Sequence, residues 1–308
     1  MDKDHYDQAA TVFSPDGRVY QVEYSREAIK RGGLAMGIIY RDGVLFTIDK
    51  AIYSSLVEEE YLEKFFKITN NVGAAASGLI ADARVLIDIL RDKAQEESRR
   101  YGENPDIRNL VMWISKIYEV YTRYEGVRPF GTALLIGGHD VTGFHLYETD
   151  PSGVFQERKA TAIGKGSERA IEILEKVYNP DLSREKAIGL ALKILEETLE
   201  ERPQDIRKGE EIHLLTREGF EVLDLDSDID LDAVLKDVII DSAIKEADQG
   251  FEKFFDSVEG LTSSQMRELM KTFSDLDKLK AATEKDLRSI PGIGPKTARK
   301  ILEALKNL

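Results

Sequence analysis

Residues 18–49 have the sequence RVYQVEYSREAIKRGGLAMGIIYRDGVLFTID, and its pattern changes near the middle. Up to residue 31, apolar side chains recur at helical spacing, and the pair Gly32-Gly33 ends that pattern. Two apolar runs follow, at 34–40 and 44–49, and Asp42-Gly43 between them supplies the positive φ that a tight turn requires. The stretch therefore predicts a helix that leads directly into a β-hairpin.

The chain beyond this stretch repeats the grouping of strands and helices. A strand pattern at 72–77 precedes two amphipathic helices, and short strands return between 132 and 163. Two more helical stretches, at 167–177 and 184–201, come before a final hairpin at 211–225. Because strands and helices occur in separate groups, we predict an α+β fold with stacked sheets inside and helices outside, and not a doubly wound parallel sheet.

The composition indicates an ordinary globular protein and excludes several kinds of chemistry. The chain has 308 residues, 42% hydrophobic and 32% charged, which suffices for one sizeable domain and a small one. It has no cysteine, which excludes disulfides and thiol catalysis, and its four histidines lack metal-ligand spacing. No apolar run has the length of a membrane span and the start lacks a signal-peptide pattern. We therefore expect a cytoplasmic protein with no membrane contact, metal or cofactor.

The charge is distributed unevenly and separates the C-terminal residues from the rest. The formal net charge is −14, but residues 258–308 carry ten Lys and Arg against seven Asp and Glu, which makes this part +3 and the remainder −17. An acidic run and an amphipathic helical pattern follow the last hairpin. We predict a main domain at 1–227, an acidic amphipathic helical connector at 228–257 and a small all-α domain at 258–308.

Four motifs occur in an order that is more specific than any one of them. They are Tyr6-Asp7-Gln8 with TVFSPDGR at 11–18, SGLIADAR at 77–84, GVRPFG at 126–131 and ATAIG at 160–164. Over residues 5–223 these motifs together resemble the α subunits of proteasomes. The resemblance implies a four-layer αββα sandwich of the proteasome (Ntn-hydrolase) fold. It also implies that copies of the chain form a seven-membered ring on a barrel of threonine-protease β subunits.

The same resemblance argues against catalysis by this chain. Catalytic relatives use an N-terminal Thr whose own amine acts as the base. The resemblance places that position at Gly33, which has no hydroxyl and follows 32 other residues. Asp49 and Lys64 stand near the positions of the acidic residue and the lysine that assist the nucleophile. We expect a non-catalytic subunit, with no catalytic residue, that gates the chamber and docks a regulatory ATPase for protein degradation.

Lys64 has a different implied role in α-type relatives. The resemblance implies a pocket between neighbouring α subunits for the C-terminal tail of an activating ATPase, lined by Gly32, Lys64 and Leu79. The lysine would bind the tail carboxylate, the glycine would allow close approach, and the leucine would contact an apolar residue of the tail. The residues alone also permit a solvated Lys64 that pairs with Glu60 or Glu63.

The resemblance further implies a gate at the start of the chain, formed by Tyr6, Asp7 and Gln8 with a reverse turn at Pro15 and a helix tyrosine, Tyr24. The relatives have an arginine where this chain has Gln8. A contact between Asp7 and Gln8 of neighbouring tails has one charged partner and no bidentate geometry. We expect a looser or rearranged closed gate, and the alternative is a disordered polar tail.

Residues 289–300, SIPGIGPKTARK, resemble the hairpin of a helix-hairpin-helix motif, and 258–273 resemble a degenerate first copy. Two glycines in this hairpin would form a tight positive-φ turn whose amides bind a nucleic-acid phosphate beside a helix N-terminus. The candidate contacts are Gly292, Gly294, Lys296 and Thr297. The alternative is a packing or protein-docking domain, because the segment is only mildly basic on a very acidic chain.

Three functions stay open on the sequence alone. The first is the outer ring of a proteasome core, and the second is a DNA- or RNA-tethered form of that assembly. The third is a proteasome-fold protein that acts without a β ring, such as an amidohydrolase, against which Gly33 and the long N-terminal extension argue.

One further motif, Gly164-Lys165-Gly166-Ser167, resembles a phosphate-binding loop. It lacks the spacing of the known phosphate-loop motif. We therefore predict a simple strand-to-helix turn at this position.

Overall fold

The computed structural model describes residues 11–50, 56, 62–198 and 210–223 of the N-terminal part, and residues 254–255, 258, 261, 265, 269, 272–273, 276–280, 282–290 and 293–306 of the C-terminal part. The described residues of 1–171 and 179–238 form one compact unit, and those of 172–178 and 239–308 form a second. The connector predicted at 228–257 lies almost entirely outside the described residues, so its boundaries stay predictions. None of the described helices has the length and apolar character that crossing a bilayer requires.

The N-terminal elements follow the predicted grouping of strands and helices. In chain order they are α1 (Tyr20–Lys30), β1 (Ala35–Tyr40), β2 (Gly43–Asp49), β3 (Phe65–Lys67), β4 (Val72–Gly78), α2 (Ile80–Tyr101), α3 (Ile107–Tyr121), β5 (Thr132–Asp140), β6 (Gly143–Thr149), β7 (Phe155–Glu157), β8 (Ala160–Ile163), α4 (Ser167–Val177), α5 (Arg184–Thr198), β9 (Glu210–Thr216) and β10 (Gly219–Leu223).

The strands form two five-stranded antiparallel sheets, with the strand orders β10-β9-β2-β1-β8 and β3-β4-β5-β6-β7. The sheets pack face to face, with β1 and β2 against β4, β5 and β6. Helices α2 and α3 cover the second sheet, and α5 covers β1 and β2 of the first. The predicted α+β fold, with sheets inside and helices outside, is confirmed.

The core consists of layers that correspond to these contacts. One buried cluster, which includes Phe46 and Leu146, lies between the sheets, and another, which includes Leu86 and Ile114, lies between the second sheet and its two helices. Central strands are therefore covered on both faces, and residues 43–48 of β2 are all buried. This explains why β2 is a continuous apolar run without alternating polar residues.

The first hairpin forms as predicted, but without the positive φ that was expected at its turn. Strands β1 and β2 pair from Ala35–Ile48 to Tyr40–Gly43. Gly43 does not have a positive φ. A Cβ at this position would lie 2.5 Å from the carbonyl oxygen of Leu215 and 2.7 Å from the hydroxyl of Tyr40. Close approach of β9, and not turn geometry, requires the glycine.

The second unit is a small helical domain with its own core. Its described helices are α6 (Leu276–Lys280), α7 (Glu284–Arg288) and α8 (Pro295–Lys306). Thr283 and Asp286 form a capping box that starts α7, because each side chain accepts a backbone N–H of the other residue. The buried cluster of this unit consists of Phe254, Phe255, Val258, Leu269, Leu279, Leu287, Ile290, Ile293, Ala298, Ile301 and Leu305.

Candidate functional site

The sequence-predicted frame of Gly33, Asp49 and Lys64 comes together at one end of the two sheets. Lys64 Nζ donates a hydrogen bond to the carbonyl oxygen of Asp49 over 2.8 Å. The Asp49 N–H donates to the carbonyl oxygen of Leu34, the neighbour of Gly33, also over 2.8 Å. The buried hydroxyl of Ser77 donates to the carbonyl oxygen of Gly33 over 2.9 Å. The position at which the resemblance places the catalytic Thr is therefore a glycine without a side chain, and the nearby Ser77 hydroxyl is occupied by a hydrogen bond to its backbone.

The Lys64 ammonium is half-buried at the edge of this frame. Burial lowers the pKa of Lys64, a nearby Asp49 carboxylate opposes that effect, and the Lys50 charge adds to it. Among the described residues Lys64 forms no ion pair, and this includes Glu63, one of the two partners considered in the sequence analysis; Glu60 lies outside the described residues. Lys64 is therefore a partly desolvated cation with a neutral carbonyl as its hydrogen-bond acceptor.

Gly32 lies where the end of α1 packs directly on the end of β4. A Cβ at Gly32 would stand 2.3 Å from the Gly78 nitrogen and 2.5 Å from Ser77 Oγ. Gly78 in turn has a φ of +103°, and a Cβ there would stand 2.2 Å from the carbonyl oxygen of Gly131. We call this contact of Gly32, Gly78 and Gly131 the glycine joint. The fold itself requires Gly32, whether or not a ligand approaches it.

Leu79 stands next to the glycine joint and immediately precedes α2. Its N–H donates to the carbonyl oxygen of Gly131 over 2.9 Å, while its side chain is 45% exposed. Lys64 lies across the sheet from Ala76, three residues before Leu79, because the Ala76 N–H donates to the Lys64 carbonyl oxygen over 2.9 Å. The structure thus places Gly32, Lys64 and Leu79 at the same end of the two sheets, around the end of β4.

Two residues that sequence reasoning did not single out hold this region in place. Arg128 donates two hydrogen bonds, of 2.6 and 2.8 Å, to the carboxylate of Asp82, which also accepts the Gly131 N–H over 2.8 Å. Burial tends to raise the pKa of Asp82, but the Arg128 and Gly131 donors outweigh it and hold that pKa below its ordinary value. Both residues lie within the quoted motifs at 77–84 and 126–131, which was the only signal for them.

The predicted gate residues lie only partly within the described chain. Tyr6, Asp7 and Gln8 lie outside it. Pro15 stands in a closed reverse turn, in which the Gly17 N–H donates to the carbonyl oxygen of Ser14 over 2.8 Å and Gly17 has a φ of +75°. Tyr24 is 49% exposed on α1, and its ring stacks on that of Tyr20 with a centroid distance of 6.4 Å.

The C-terminal hairpin differs from the expectation at one of its two glycines. Gly292 lies outside the described residues. Gly294 precedes α8, is exposed and does not have a positive φ, and a Cβ there would meet nothing within 4 Å. The prediction of a positive-φ turn is therefore wrong at Gly294. Lys296 is exposed in the first turn of α8 and Thr297 is half-buried.

Two of the described histidines, His145 and His213, take part in side-chain hydrogen bonds. The ring of His145 lies between the Glu157 carboxylate and the Thr142 hydroxyl, with a distance of 2.6 Å to each. His213 lies 3.1 Å from Glu211 and stacks on Phe65. Within the described parts of the chain, no group of three or more His, Asp or Glu has an arrangement that could hold a metal ion.

Comparison with known proteins gives the class and then the family. The family model of proteasome subunits matches residues 29–216, and the model of the N-terminal signature of A-type proteasome subunits matches residues 6–28. A third model, a SAM-like helix-hairpin-helix tandem, matches residues 252–307. The fold and the first match define a proteasome subunit, and the N-terminal signature is that of the α-type subunits.

Curated relatives agree with this assignment. The proteasome alpha subunit of Methanopyrus kandleri is 48% identical over 219 residues, which cover 71% of this chain and 88% of the relative. The proteasome alpha subunits of Methanocaldococcus jannaschii and Methanothermobacter thermautotrophicus are each 48% identical, over 65% and 63% of this chain and 77% and 79% of those proteins. The chain belongs to the proteasome α-subunit family, whose members are the non-catalytic subunits, and it carries a helix-hairpin-helix domain at its C-terminus.

Proposed function

We propose that copies of this chain form the outer, seven-membered gating ring of a cytoplasmic proteasome core, stacked on catalytic β subunits. In this proposal Gly32, Lys64 and Leu79 bind the C-terminal tail of a regulatory ATPase that delivers proteins for degradation. Family membership supports the ring and the β partner, and the geometry around the end of β4 supports the docking site.

The environment of Lys64 is the observation that carries the docking proposal. A half-buried lysine that makes no ion pair within the described residues has a cationic group available for an incoming carboxylate. Partial desolvation strengthens such a contact, because the local dielectric is lower than in bulk water. The exposed Leu79 side chain offers an apolar surface for the tail beside it.

The test compares two lysines at opposite ends of β3: Lys64, which immediately precedes the strand, and Lys67, which ends it. Lys64→Ala removes the cation, and we expect loss of stimulation by an ATPase activator or its C-terminal peptide, with unchanged basal peptide hydrolysis in particles that contain β subunits. The lost charged hydrogen bond corresponds to about 1.5–3 kcal/mol, or about ten- to a hundredfold in affinity. Lys67→Ala is the matched control, since Lys67 is exposed at the other end of β3, with its ammonium over the Phe220 ring. Equal stimulation in both variants contradicts the docking role.

The gate belongs to the same proposal. Tyr6, Asp7 and Gln8 would close the pore by contacts between neighbouring copies, with the closed turn at Pro15 and the exposed Tyr24 ring as their support. The hydrogen bonds of that turn and the exposure of Tyr24 favour this role. Because Gln8 replaces an arginine, we expect Gln8→Arg to lower the basal hydrolysis of long peptides by tightening the closed gate.

We propose nucleic-acid binding by the C-terminal domain as a second function, which would give a tethered particle. The supporting observation is the exposed run of Gly294, Pro295 and Lys296 at the start of a 12-residue helix that also exposes Arg299 and Lys300. The glycine has open space around it, so a phosphate could approach the backbone closely.

A salt titration with duplex DNA tests this second function. The protein should bind DNA without sequence preference, and affinity should fall steeply with salt because counterions are released. Gly294→Ala should weaken binding through the added methyl group while leaving the fold intact, and Lys296→Gln should weaken it through one lost charge. If neither the full chain nor residues 252–308 bind DNA at low ionic strength, the packing or protein-docking alternative is favoured. If residues 252–308 bind and the full chain does not, the acidic N-terminal part of the chain repels DNA.

A further inference from the structure

The turn between β8 and α4 packs against the proposed docking site. The Lys165 N–H donates to the carbonyl oxygen of Gly32 over 2.8 Å. Gly164 has a φ of +94°, and a Cβ there would stand 2.4 Å from Ser77 Oγ and 2.5 Å from the carbonyl oxygen of Gly33. Gly166 has a φ of +79°. The strand-to-helix turn predicted from the sequence is present, and its two positive-φ glycines fix Lys165 beside Gly32.

The side chains around this turn leave an excess of positive charge. Lys165 and Arg31 are both exposed, and neither forms an ion pair with any residue in the described ranges. The neighbouring Lys30 is different, because it lies 3.6 Å from both Glu27 and Glu168. Two cations that make no ion pair in the described part of the chain therefore lie next to Gly32, on a chain whose net charge is −14.

The spacing between Lys165 and Lys64 can be estimated from the chain of contacts that joins them. Lys64 bonds to Ala76, two residues before Gly78, and Gly78 contacts Gly32, which bonds to Lys165. With a rise of about 3.3 Å per strand residue, the two lysine backbones lie about 10–15 Å apart. An extended peptide covers that distance in about three or four residues.

We propose that Lys165, assisted by Arg31, is a second cationic subsite of the docking site that selects tails with an acidic side chain about three or four residues before the terminal carboxylate. The inference rests on the proposed docking function of Lys64. Lys64 binds the terminal carboxylate and the pair of exposed cations binds the upstream acidic side chain. Charge complementarity at two points fixes both the direction and the register of the tail.

The exposure of Lys165 determines which property of binding it controls. An exposed charge pair contributes little energy and is screened by salt, whereas it accelerates encounter of opposite charges. Loss of Lys165 should therefore lower the association rate more than it raises the dissociation rate. Loss of Lys64, which is half-buried, should act mainly on dissociation.

The experiment measures binding of short acetylated peptides that end in apolar residues and a free carboxylate, with Glu, Gln or Lys at the third and fourth positions before the end. The purified full chain and its Lys165→Glu variant are compared. We expect the variant to bind the Glu peptide about three- to tenfold more weakly at low salt, to bind the Gln peptide like the wild type, and to prefer the Lys peptide. Lys186→Glu on α5 is the matched control, since Lys186 is also exposed and adds the same change of net charge.

The outcomes separate this inference from the function on which it rests. If Lys64→Ala abolishes binding of all three peptides while Lys165→Glu binds them like the wild type, the docking function holds and the second subsite is wrong. If Lys64→Ala has no effect, or if the wild type binds no Glu peptide at low salt, both are wrong. If Lys186→Glu changes peptide preference as much as Lys165→Glu, the effect is one of net charge and the subsite is wrong.

Discussion

At the scale of single residues, the Asp82 carboxylate holds together two segments that meet at the proposed docking site. It joins Arg128 and the Gly131 N–H, and Gly131 accepts the N–H of Leu79. Three residues from two distant motifs, Asp82, Arg128 and Gly131, thereby set the position of the exposed Leu79 side chain in the proposed docking site. A mutation at Asp82 should therefore affect both stability and tail binding.

Asp82→Asn tests this with a defined pH dependence. The pKa of Asp82 is held below its ordinary value of 3.8, so the pair stabilises the fold fully above that pH, and the stabilisation is lost as the pH falls through the lowered value. We expect a loss of about 1–3 kcal/mol of unfolding free energy at neutral pH. The difference from wild type should shrink as the pH falls below about 4. Urea unfolding at several pH values measures it.

Asp88→Asn is the control for this experiment, because Asp88 lies on the same helix but is exposed. Its carboxylate comes no closer than 3.6 Å to the Arg91 guanidinium. Its substitution should change stability by less than about 0.5 kcal/mol at any pH. An Asp82→Asn variant with the same small effect would show that the Asp82–Arg128 pair contributes nothing measurable.

At the scale of elements, α1 depends on the body of the protein for its stability. It has 11 residues, and the residue before it, Val19, provides no side-chain cap. A helix of this length is marginal on its own in water. The helix is held in place by burial of Val22 and Ile29. Arg26 also donates two hydrogen bonds, of 2.8 and 2.9 Å, to the carboxylate of Asp150.

Arg26→Gln should therefore loosen α1 selectively. Amide hydrogen exchange of residues 20–30 should accelerate about tenfold, which corresponds to the roughly 1.4 kcal/mol of one charge-assisted hydrogen-bonded pair. Arg123→Gln removes an exposed pair with Glu119 on α3 and serves as the control, with exchange in α1 unchanged. Uniform acceleration across both sheets would instead indicate global destabilisation.

Much of the element order follows from sequence, while the contacts between distant elements do not. Hairpins, amphipathic helices and the β8–α4 turn follow local patterns, so they could be predicted. Asp82 and Arg128 are 46 residues apart, and no periodicity relates them. The positive φ predicted at Gly43 and Gly294 is wrong, because sequence does not distinguish a positive φ from a close backbone neighbour or from open space. Lys165 was recognised only as part of a turn, since its proximity to Gly32 depends on the packed fold.

At the scale of the whole molecule, assembly should not require the β partner. The α-type N-terminal signature predicts that the chain alone forms rings of seven copies or stacked pairs of rings. Gly33 predicts that these rings cleave no fluorogenic peptide, because the position of the nucleophile holds no hydroxyl. Native mass spectrometry measures the first property and a peptidase assay the second. A stable monomer at micromolar concentration contradicts the predicted ring. Peptide cleavage that a threonine-directed inhibitor blocks contradicts the predicted lack of catalysis.

The glycine joint also limits how this protein can change over evolutionary time. Every substitution of Gly32 or Gly78 adds at least a Cβ, and that atom would stand within 2.3 Å of a backbone atom of the neighbouring element. A substitution at either position therefore requires the backbone of the neighbouring element to shift. If the proposed docking site is used, heritable variation in its ligand is confined to the side chains that surround the joint, such as Leu79 and Lys165. A lineage that acquires a new regulator would record the change at those positions and leave the glycines untouched.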